Sequence, residues 1–244
     1  MKRWLGHIAL FLSLIAMGIA LSAARKAGKE QRFTKLELKL NDVPSAKFID
    51  AREMQRLFEA NYPGAGDLRL GEINTAVLEE SLENHHAIAR AEVYSNLEGV
   101  VTLDLRPPNP LARVHDAQGR KYYLLEDGNK MPLSPLYAPP VPLLTGMVPD
   151  SMRQPLSGFW KKIASDSYFA NRFSGLHLTE SGDWILYTTE GDHAVEVGVG
   201  RIFEKLAKLK IFYQQAWPAL DKKEKVLIDT INLKYADQVI ISKK

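Results

Sequence analysis

Two adjacent histidines are the first residues whose type suggests chemistry. His85 and His86 could offer imidazole ligands to a metal ion, but neighbouring residues on a helix point in different directions, and no third ligand follows at a useful spacing. The chain has no cysteine, which excludes thiolate nucleophiles and cysteine-based zinc sites. We interpret the pair as the polar end of a helix and expect no metal.

A pair of glycines suggests nucleotide binding. Gly198 and Gly200 stand between a predicted strand and a predicted helix, where glycines let backbone amides approach a pyrophosphate. The third glycine of that motif would fall at Phe203, whose ring occupies the place where helix and strand must pack closely. The pattern favours a plain tight turn, and we expect no cofactor.

Polar residues in the second half of the chain suggest hydrolysis. Ser181, Asp192 and His193 are the residue types of a catalytic triad, but all three fall at predicted strand ends and none resembles a nucleophile elbow. Asp183 and Glu190 are predicted to be turn residues, because nothing in the sequence pairs them as acid and base. The sequence predicts no enzyme and no small-molecule substrate.

The charge balance argues against nucleic acid as the main partner. The chain has 244 residues, with 32 basic against 29 acidic side chains and a net charge of +3, so no large excess of positive charge is available for a phosphate backbone. Hydrophobic residues make up 45% and charged residues 25%, which is typical of globular proteins. Such a chain can bury one large core or two small ones.

The first 24 residues predict a short cytoplasmic tail and a transmembrane anchor. No residue of 4–24 is formally charged, and a helix needs roughly 20 apolar residues to cross a bilayer. A cleaved signal peptide is the alternative, because Ala20-Leu21-Ser22 offers small residues at the spacing that signal peptidase requires. Residues 25–34 would form a juxtamembrane linker, and the rest of the chain would lie outside the cytoplasm.

Residues 35–107 show the pattern of a small β-α-α-β-β domain. Leu36, Leu38 and Leu40 alternate with charged residues, which predicts a strand buried on one face. Asp50 begins a helical stripe, a second stripe ends near Asn84, and 89–105 reads as a hairpin. We therefore expect a small antiparallel or mixed sheet with both helices on one face.

Residues 108–244 predict a second, β-rich domain of the α+β class with two helices. The prolines of 106–110 mark the joint, because proline removes backbone donors. The helices are expected over 156–163 and 202–216, the latter ended by Pro218. The principal strands are expected over 111–115, 121–125, 176–178, 184–189, 193–199, 226–233 and 235–241.

The last predicted strand, 235–241, is the candidate interaction surface. At a sheet edge it would offer unpaired N–H and C=O groups to a strand of another protein. Tyr235 is an aromatic residue of the kind enriched at interface hot spots, and Val239 and Ile241 alternate with other side chains. The alternative is that these side chains fill the core of this protein.

The order of these features resembles the FtsQ/DivIB family of bacterial cell-division proteins. The resemblance covers almost the whole chain: a short tail, one span, a POTRA-like domain and a β domain. Local signatures that resemble the family are Arg106-Pro107-Pro108-Asn109-Pro110-Leu111-Ala112, Leu124-Leu125-Glu126-Asp127-Gly128, Pro142-Leu143-Leu144-Thr145-Gly146, Val197-Gly198-Val199-Gly200-Arg201 and Ile231-Asn232-Leu233-Lys234-Tyr235. The chain departs from the family at Asn232 and Lys234, where an acidic residue and an arginine are common, and at 236–238, where a glycine-containing turn is common.

The resemblance implies a function in recruiting other proteins. In that family, the last strand and the basic residue before the preceding helix receive the small coiled-coil membrane proteins FtsB and FtsL of the divisome. Carried over to this chain, the partner-binding residues are Arg201, Lys234, Tyr235, Asp237, Val239 and Ile241. The resemblance also implies a single-pass inner-membrane protein at the division septum, with its N-terminus cytoplasmic and its bulk periplasmic.

Two other functions stay open from the residues alone. One is a secreted or membrane-tethered enzyme acting on envelope material, which would need a cleft lined by acidic residues of the second domain. The other is an outer-membrane assembly factor, since POTRA modules occur there too. Repeated modules would favour that function, and the sequence predicts one module.

Overall fold

The chain divides into two compact units that meet between Pro107 and Pro108. The computed structural model describes residues 2–191, 193–236 and 238–244, with the backbone alone at 2–6, 8–11, 24 and 25. Each unit has its own sheet. Because two adjacent prolines remove two backbone donors in succession, neither sheet continues through the joint.

The first helix, α1, spans Lys2–Glu30. Its described part between 12 and 23 is exposed and includes large apolar side chains, namely Leu12, Leu14, Ile15, Met17, Ile19 and Leu21. Within the described residues, no helix combines the length and the apolar character needed to cross a membrane. The anchor expected over 4–24 falls in part on positions whose side chains lie outside the described residues.

The first unit is a three-stranded sheet with two main helices. Its elements are β1 (Lys35–Leu40), α2 (Ala51–Asn61), α3 (Thr75–Glu83), β2 (Arg90–Ser95) and β3 (Val100–Arg106). The strand order is β1-β3-β2, with β1 parallel and β2 antiparallel to β3. Asp50 and Asn74 begin the helices by accepting backbone N–H groups of Arg52 and Val77. The sheet is mixed, which is one of the two arrangements that the sequence left open.

Carboxylates from α3 close the outer edge of β2. Glu83 Oε1 accepts the backbone N–H of Ala91 at 3.0 Å, and Glu79 Oε1 accepts that of Val93 at 2.7 Å. Both amides point away from β3, at the edge where another strand would add. Helix α3 therefore satisfies two backbone donors that an unprotected edge would leave open.

The second unit is a nine-stranded mixed sheet with three helices. Its strands are β4 (Pro110–Asp116), β5 (Lys121–Leu125), β6 (Lys130–Pro132), β7 (Leu143–Gly146), β8 (Phe173–Leu178), β9 (Trp184–Thr188), β10 (Ala194–Gly198), β11 (Ile228–Asn232) and β12 (Ile240–Lys243). The helices are α4 (Arg153–Ser165), α5 (Ile202–Ile211) and α6 (Lys222–Leu227). The strand order is β12-β11-β10-β9-β8-β7-β4-β5-β6.

The core of the second unit lies between the sheet and its two longer helices. Leu156 and Phe159 of α4 and Leu206 and Leu209 of α5 belong to one buried cluster with alternate residues of the central strands. The alternation is clear in β10, where Val195 and Val197 are fully buried. The α+β class of both units agrees with the sequence analysis.

Three predicted elements are wrong in extent. The helix expected over 202–216 ends as α5 at Ile211 and continues as a π-helix, Phe212–Ala216, followed by a short 3-10 turn, Trp217–Ala219, that contains Pro218. The strand expected from Val226 begins at Ile228, because Asp221 and Glu224 form a capping box that starts α6, a third helix that the sequence analysis missed.

The last strand is the third correction. It was expected over 235–241 and instead spans Ile240–Lys243. Tyr235 lies in a bend, because the side chain of Asn232 accepts the backbone N–H of Lys234 at 2.9 Å and turns the chain away from β11.

Candidate partner-binding edge

β12 forms one end of the nine-stranded sheet. It pairs antiparallel with β11, with Ile241 opposite Ile231 and Ile240 opposite Asn232. Lys244 donates its backbone N–H to Leu227 at 2.8 Å, toward β11. Because inward and outward amides alternate along a strand, the N–H groups of Ile241 and Lys243 point to the outer edge. No other strand of the described residues pairs with that edge.

Tyr235 stands in the bend that leads to β12, and α5 holds this bend in place. The side chain of Tyr235 is 51% exposed. Lys208 Nζ, from α5, donates to the carbonyl oxygens of Tyr235 at 2.5 Å and Ala236 at 3.0 Å. The sequence analysis did not single out Lys208, because nothing in the periodicity of α5 marks a lysine that bonds to the backbone of a distant loop.

Lys234 is engaged within its own unit. Its Nζ lies 3.1 Å from Asp183 Oδ2 and 3.4 Å from Glu196 Oε2, and the hydrogen bond to Asp183 raises the pKa of the ammonium group. Its aliphatic stem covers Gly198, where an added Cβ would lie 2.9 Å from Lys234 Cγ. The side chain therefore packs against the sheet beside the bend, as a brace, and its charge is partly neutralised by Asp183 and Glu196.

Arg201 precedes α5 in a left-handed conformation, with φ of 48°. Its side chain is 81% exposed, and its nearest acidic neighbour is Glu204 at 3.9 Å. Gly198 and Gly200 also have positive φ, so the chain turns sharply between β10 and α5. Exposure leaves the Arg201 guanidinium accessible to a carboxylate of another molecule.

A second lysine of α5 fixes this turn from the inside. Lys205 Nζ donates to the carbonyl oxygens of Val197 and Val199, both at 2.8 Å. Burial, together with the neighbouring charge of Lys208, lowers the pKa of Lys205. Helix α5 therefore uses Lys205 to hold the turn that presents Arg201, and Lys208 to hold the bend that presents Tyr235.

The remaining predicted site residues differ in their placement. Val239 and Ile241 pack, partly buried, against the core of the second unit. A surface cavity of about 270 Å³ adjoins Val239 and is walled by Ile211 and Phe212. Asp237 lies outside the described residues. Ile241 lies in the edge strand and Val239 just before it, and the side chains of both contribute to the packing of the core.

Two of the catalytic candidates, Ser181 and His193, hydrogen-bond to different side chains in the described part of the chain. Ser181 Oγ lies 2.8 Å from Thr179 Oγ1, whereas the ring of His193 bonds to the hydroxyl of Tyr213 at 2.6 Å. Asp192 lies outside the described residues. Asp183 pairs with Lys234, and Glu190 pairs with Arg172 at 3.0 Å.

The metal-ligand candidates give no ion-binding cluster. His85 Nε2 lies 3.3 Å from Glu53 Oε1, and its ring lies 4.4 Å from that of His86 at an angle of 32°. Burial lowers the pKa of His86, and the neighbouring charge of His85 lowers it further. In the part of the chain that the structure describes, no three histidine or acidic side chains are grouped to hold a metal ion.

Comparison with protein families assigns both units. Residues 31–106 match a POTRA-like domain, and residues 109–242 match the family described as FtsQ/DivIB, C-terminal related. A POTRA-like unit followed by such a β domain defines a modular α+β scaffold protein. The chain belongs to the FtsQ/DivIB family. Membership implies a role in cell division through protein–protein interactions in the divisome, and both matched families are non-enzymatic scaffolds.

Comparison with solved structures adds a similar protein domain. No curated protein matches the chain. Among solved structures, the chain is similar to the major extracytoplasmic domain, as the trans isomer, of the cell-division protein DivIB from Geobacillus stearothermophilus. The two are 19% identical, the match covers 48% of this chain and 99% of that one, and the TM-score is 0.34.

Proposed function

We propose that this protein is a membrane-tethered scaffold that recruits coiled-coil division proteins of the FtsB and FtsL kind to the septum, by accepting a strand on β12. The observation that carries the proposal is the position of β12 at an unpaired end of the large sheet. Strand addition requires an edge of this kind, and membership of the FtsQ/DivIB family supports a partner from the divisome.

The backbone of β12 would supply general affinity. The outward N–H groups of Ile241 and Lys243 would donate to a partner strand, and their neighbouring carbonyl groups would accept. Such bonds carry little information about side chains, so they need a separate source of specificity.

Side chains around the edge would select the partner. Tyr235 offers a large exposed ring on a stretch of backbone that Lys208 restrains through the Tyr235 carbonyl oxygen. Arg201 is an exposed cation at the start of α5, and Lys243 and Lys244 are exposed cations at the end of β12 and just after it. An acidic partner segment with an apolar or aromatic residue would complement them.

The proposed tether is the run 4–24. The lack of charge in this run and the exposed apolar side chains between 12 and 23 support its burial in lipid. A tether in the inner membrane would confine the scaffold and its membrane-bound partners to one surface, with the two units outside the cytoplasm. The POTRA-like unit would provide a second docking surface.

Replacement of Tyr235 tests the proposal. We expect purified Tyr235→Ala protein to remain folded but to lose most binding to the coiled-coil partners in a pulldown, because an interface loses a hot-spot ring. Tyr187→Ala is the matched control, since Tyr187 is 45% exposed on β9, in the interior of the sheet. Equal partner binding by both variants would contradict the assignment of the edge.

Proline substitution separates strand addition from side-chain contact. Lys243→Pro would remove an outward donor and should weaken binding with little loss of stability, because proline is tolerated on an edge strand when its missing N–H faced solvent. Ser242→Pro would remove an inward donor and should lower stability instead. Full binding by the folded Lys243→Pro protein would exclude a backbone bond at that position.

A depletion experiment separates this function from the two others that the sequence left open. Cells depleted of a division scaffold should grow as filaments. Lysis without filaments would favour an envelope enzyme, and loss of outer-membrane proteins without filaments would favour an assembly factor.

A further inference from the structure

A second cavity of the β domain is walled by aromatic rings. It encloses about 200 Å³ and lies against the α4–β8 connection, the strands β8 and β9, and the π-helix that follows α5. The rings come from Tyr168, Phe173, Tyr213 and Trp217. Pockets for drug-sized molecules have about 300–1,000 Å³, so this one suits a ligand of a single ring.

Two of the ring walls are held rigidly. The hydroxyl of Tyr213 lies 2.6 Å from Nε2 of His193, a residue that is 4% exposed. The ring of Trp217 meets that of Tyr213 edge-on, at 5.4 Å and 86°, and lies 5.0 Å from the ring of His193. Tyr213 lies within the π-helix and Trp217 follows it directly, and π-helical turns are rare and frequently mark functional sites.

Two polar side chains of the cavity, Arg172 and Glu190, form an ion pair without net charge, and Thr188 is a further polar side chain in the lining. Arg172 Nη1 donates to Glu190 Oε2 at 3.0 Å, and Arg172 Nε donates to the carbonyl oxygen of Tyr168 at 2.7 Å. The guanidinium group also lies 4.5 Å from the centre of the Tyr168 ring. This pair presents donors and an acceptor side by side, and its charges cancel.

These features select the chemistry of the ligand. A cation would meet Arg172 and an anion would meet Glu190, whereas a neutral ligand with several hydroxyl groups can hydrogen-bond to both. Aromatic walls favour a ligand that also has an apolar C–H face. We propose that this cavity binds one neutral pyranose ring of a sugar, as a binding site separate from the β12 edge.

Fluorine NMR tests the proposal on the full-length chain labelled with 5-fluorotryptophan. Trp217 is one of four tryptophans, and its signal is assigned by Trp217→Phe. Titration with methyl β-D-glucopyranoside and with chitotetraose should shift the Trp217 signal to saturation and leave Trp160 and Trp184 unchanged. A response to the tetrasaccharide alone would assign the site to a glycan chain, and a response to both would assign it to a single sugar unit.

Charged sugars and a charge variant test the ion pair. Glucosamine and glucuronate have the same ring with opposite charges. Each should bind about tenfold more weakly than the neutral glucoside, because the ammonium group of glucosamine is repelled by Arg172 and the carboxylate of glucuronate is repelled by Glu190. Glu190→Gln should restore glucuronate binding, since the anion then meets Arg172 alone. Glu180→Gln is the matched control, because Glu180 is exposed in the turn between β8 and β9, at the other end of β9 from Glu190.

Two results would overturn the proposal. One is the absence of any Trp217 shift with the neutral sugars while the Trp160 and Trp184 signals report a folded protein. The other is a Trp217 shift with short peptides and none with sugars, which would assign the cavity to a peptide side chain.

Discussion

The ammonium group of Lys208 lies 2.5 Å from the carbonyl oxygen of Tyr235, which ties helix α5 to the bend before β12. The same ammonium group bonds to Ala236. Since α5 begins directly after Arg201, one helix connects the two side chains that the family resemblance assigns to partner binding. The bend is held at its backbone, so its exposed ring can be replaced without removing the tie.

Lys208→Met should loosen the bend. We expect partner binding to weaken by about 1 kcal/mol, roughly fivefold, because a more mobile ring must be ordered on binding. Hydrogen exchange of the backbone amides in 234–239 should become faster. Lys210→Met is the control, because Lys210 lies on the same helix near the Tyr168 ring. Unchanged exchange in the Lys208 variant would show that the ammonium bonds do not restrain the bend.

Removing the carboxylates that close β2 should expose a second edge. The double variant Glu79→Ala, Glu83→Ala leaves the amides of Ala91 and Val93 without their acceptors. We expect concentration-dependent self-association in analytical ultracentrifugation, because open edges pair with one another. Glu80→Ala removes an exposed neighbour on the same helix and should stay monodisperse. A monodisperse double variant would mean that the edge is protected in another way.

The buried carboxylate of Asp116 should make the folded protein less stable in acid. Its carboxylate is buried, which by itself raises its pKa, but hydrogen bonds from the backbone and side chain of Arg120 outweigh burial and hold the pKa below its ordinary value. Because the pKa of Asp116 is lower in the folded protein than in the unfolded chain, its ionised form stabilises the fold. This stabilisation is complete above the pKa of the unfolded chain, about 3.9, and is lost as the pH falls through the pKa of the folded protein.

The variant Asp116→Asn should therefore be less stable than the native chain at neutral pH, by about 1–3 kcal/mol. The difference in urea midpoint should shrink below about pH 4. Asp42→Asn, at an exposed loop position, is the control. A constant difference between pH 7 and pH 3 would show that the loss is one of packing and independent of the charge.

Gly198→Ala should disturb the brace formed by Lys234. Gly198 has φ of 72°, and the new Cβ would lie 2.9 Å from Lys234 Cγ. Gly182→Ala is a matched control, since Gly182 has φ of 84° and nothing within 4 Å of the added atom. Both variants carry the left-handed strain of roughly 1–2 kcal/mol, so the further loss in Gly198→Ala measures the contact with Lys234. Equal urea midpoints would mean that the lysine stem moves aside freely.

The sequence predicted the local elements well where side-chain periodicity and capping agree. Leu36, Leu38 and Leu40 marked β1, and Asp50 marked the start of α2. The π-helix was beyond such reasoning, because apolar spacing continues smoothly through Phe212 and Tyr213 while the backbone widens before Pro218.

The candidate site was harder to predict, because its geometry depends on bonds between distant residues. Lys208 and Tyr235 are far apart in the chain, and a lysine on a helix face gives no sign of a distant carbonyl partner. The same holds for Lys234, whose partners Asp183 and Glu196 come from two other places in the sheet. Its residue type marked Tyr235 and the family resemblance marked Arg201, but neither could show which cations are already neutralised.

The π-helical turn makes the aromatic cavity sensitive to chain length. Each hydrogen-bonded ring of a π-helix contains one residue more than that of an α-helix, so deletion of Gln214 would let 212–216 adopt the regular pitch and would swing Trp217 around the helix axis. Leu206 and Leu209 lie upstream and would keep their places in the core. A single-codon deletion could thus abolish the cavity in a protein that still folds.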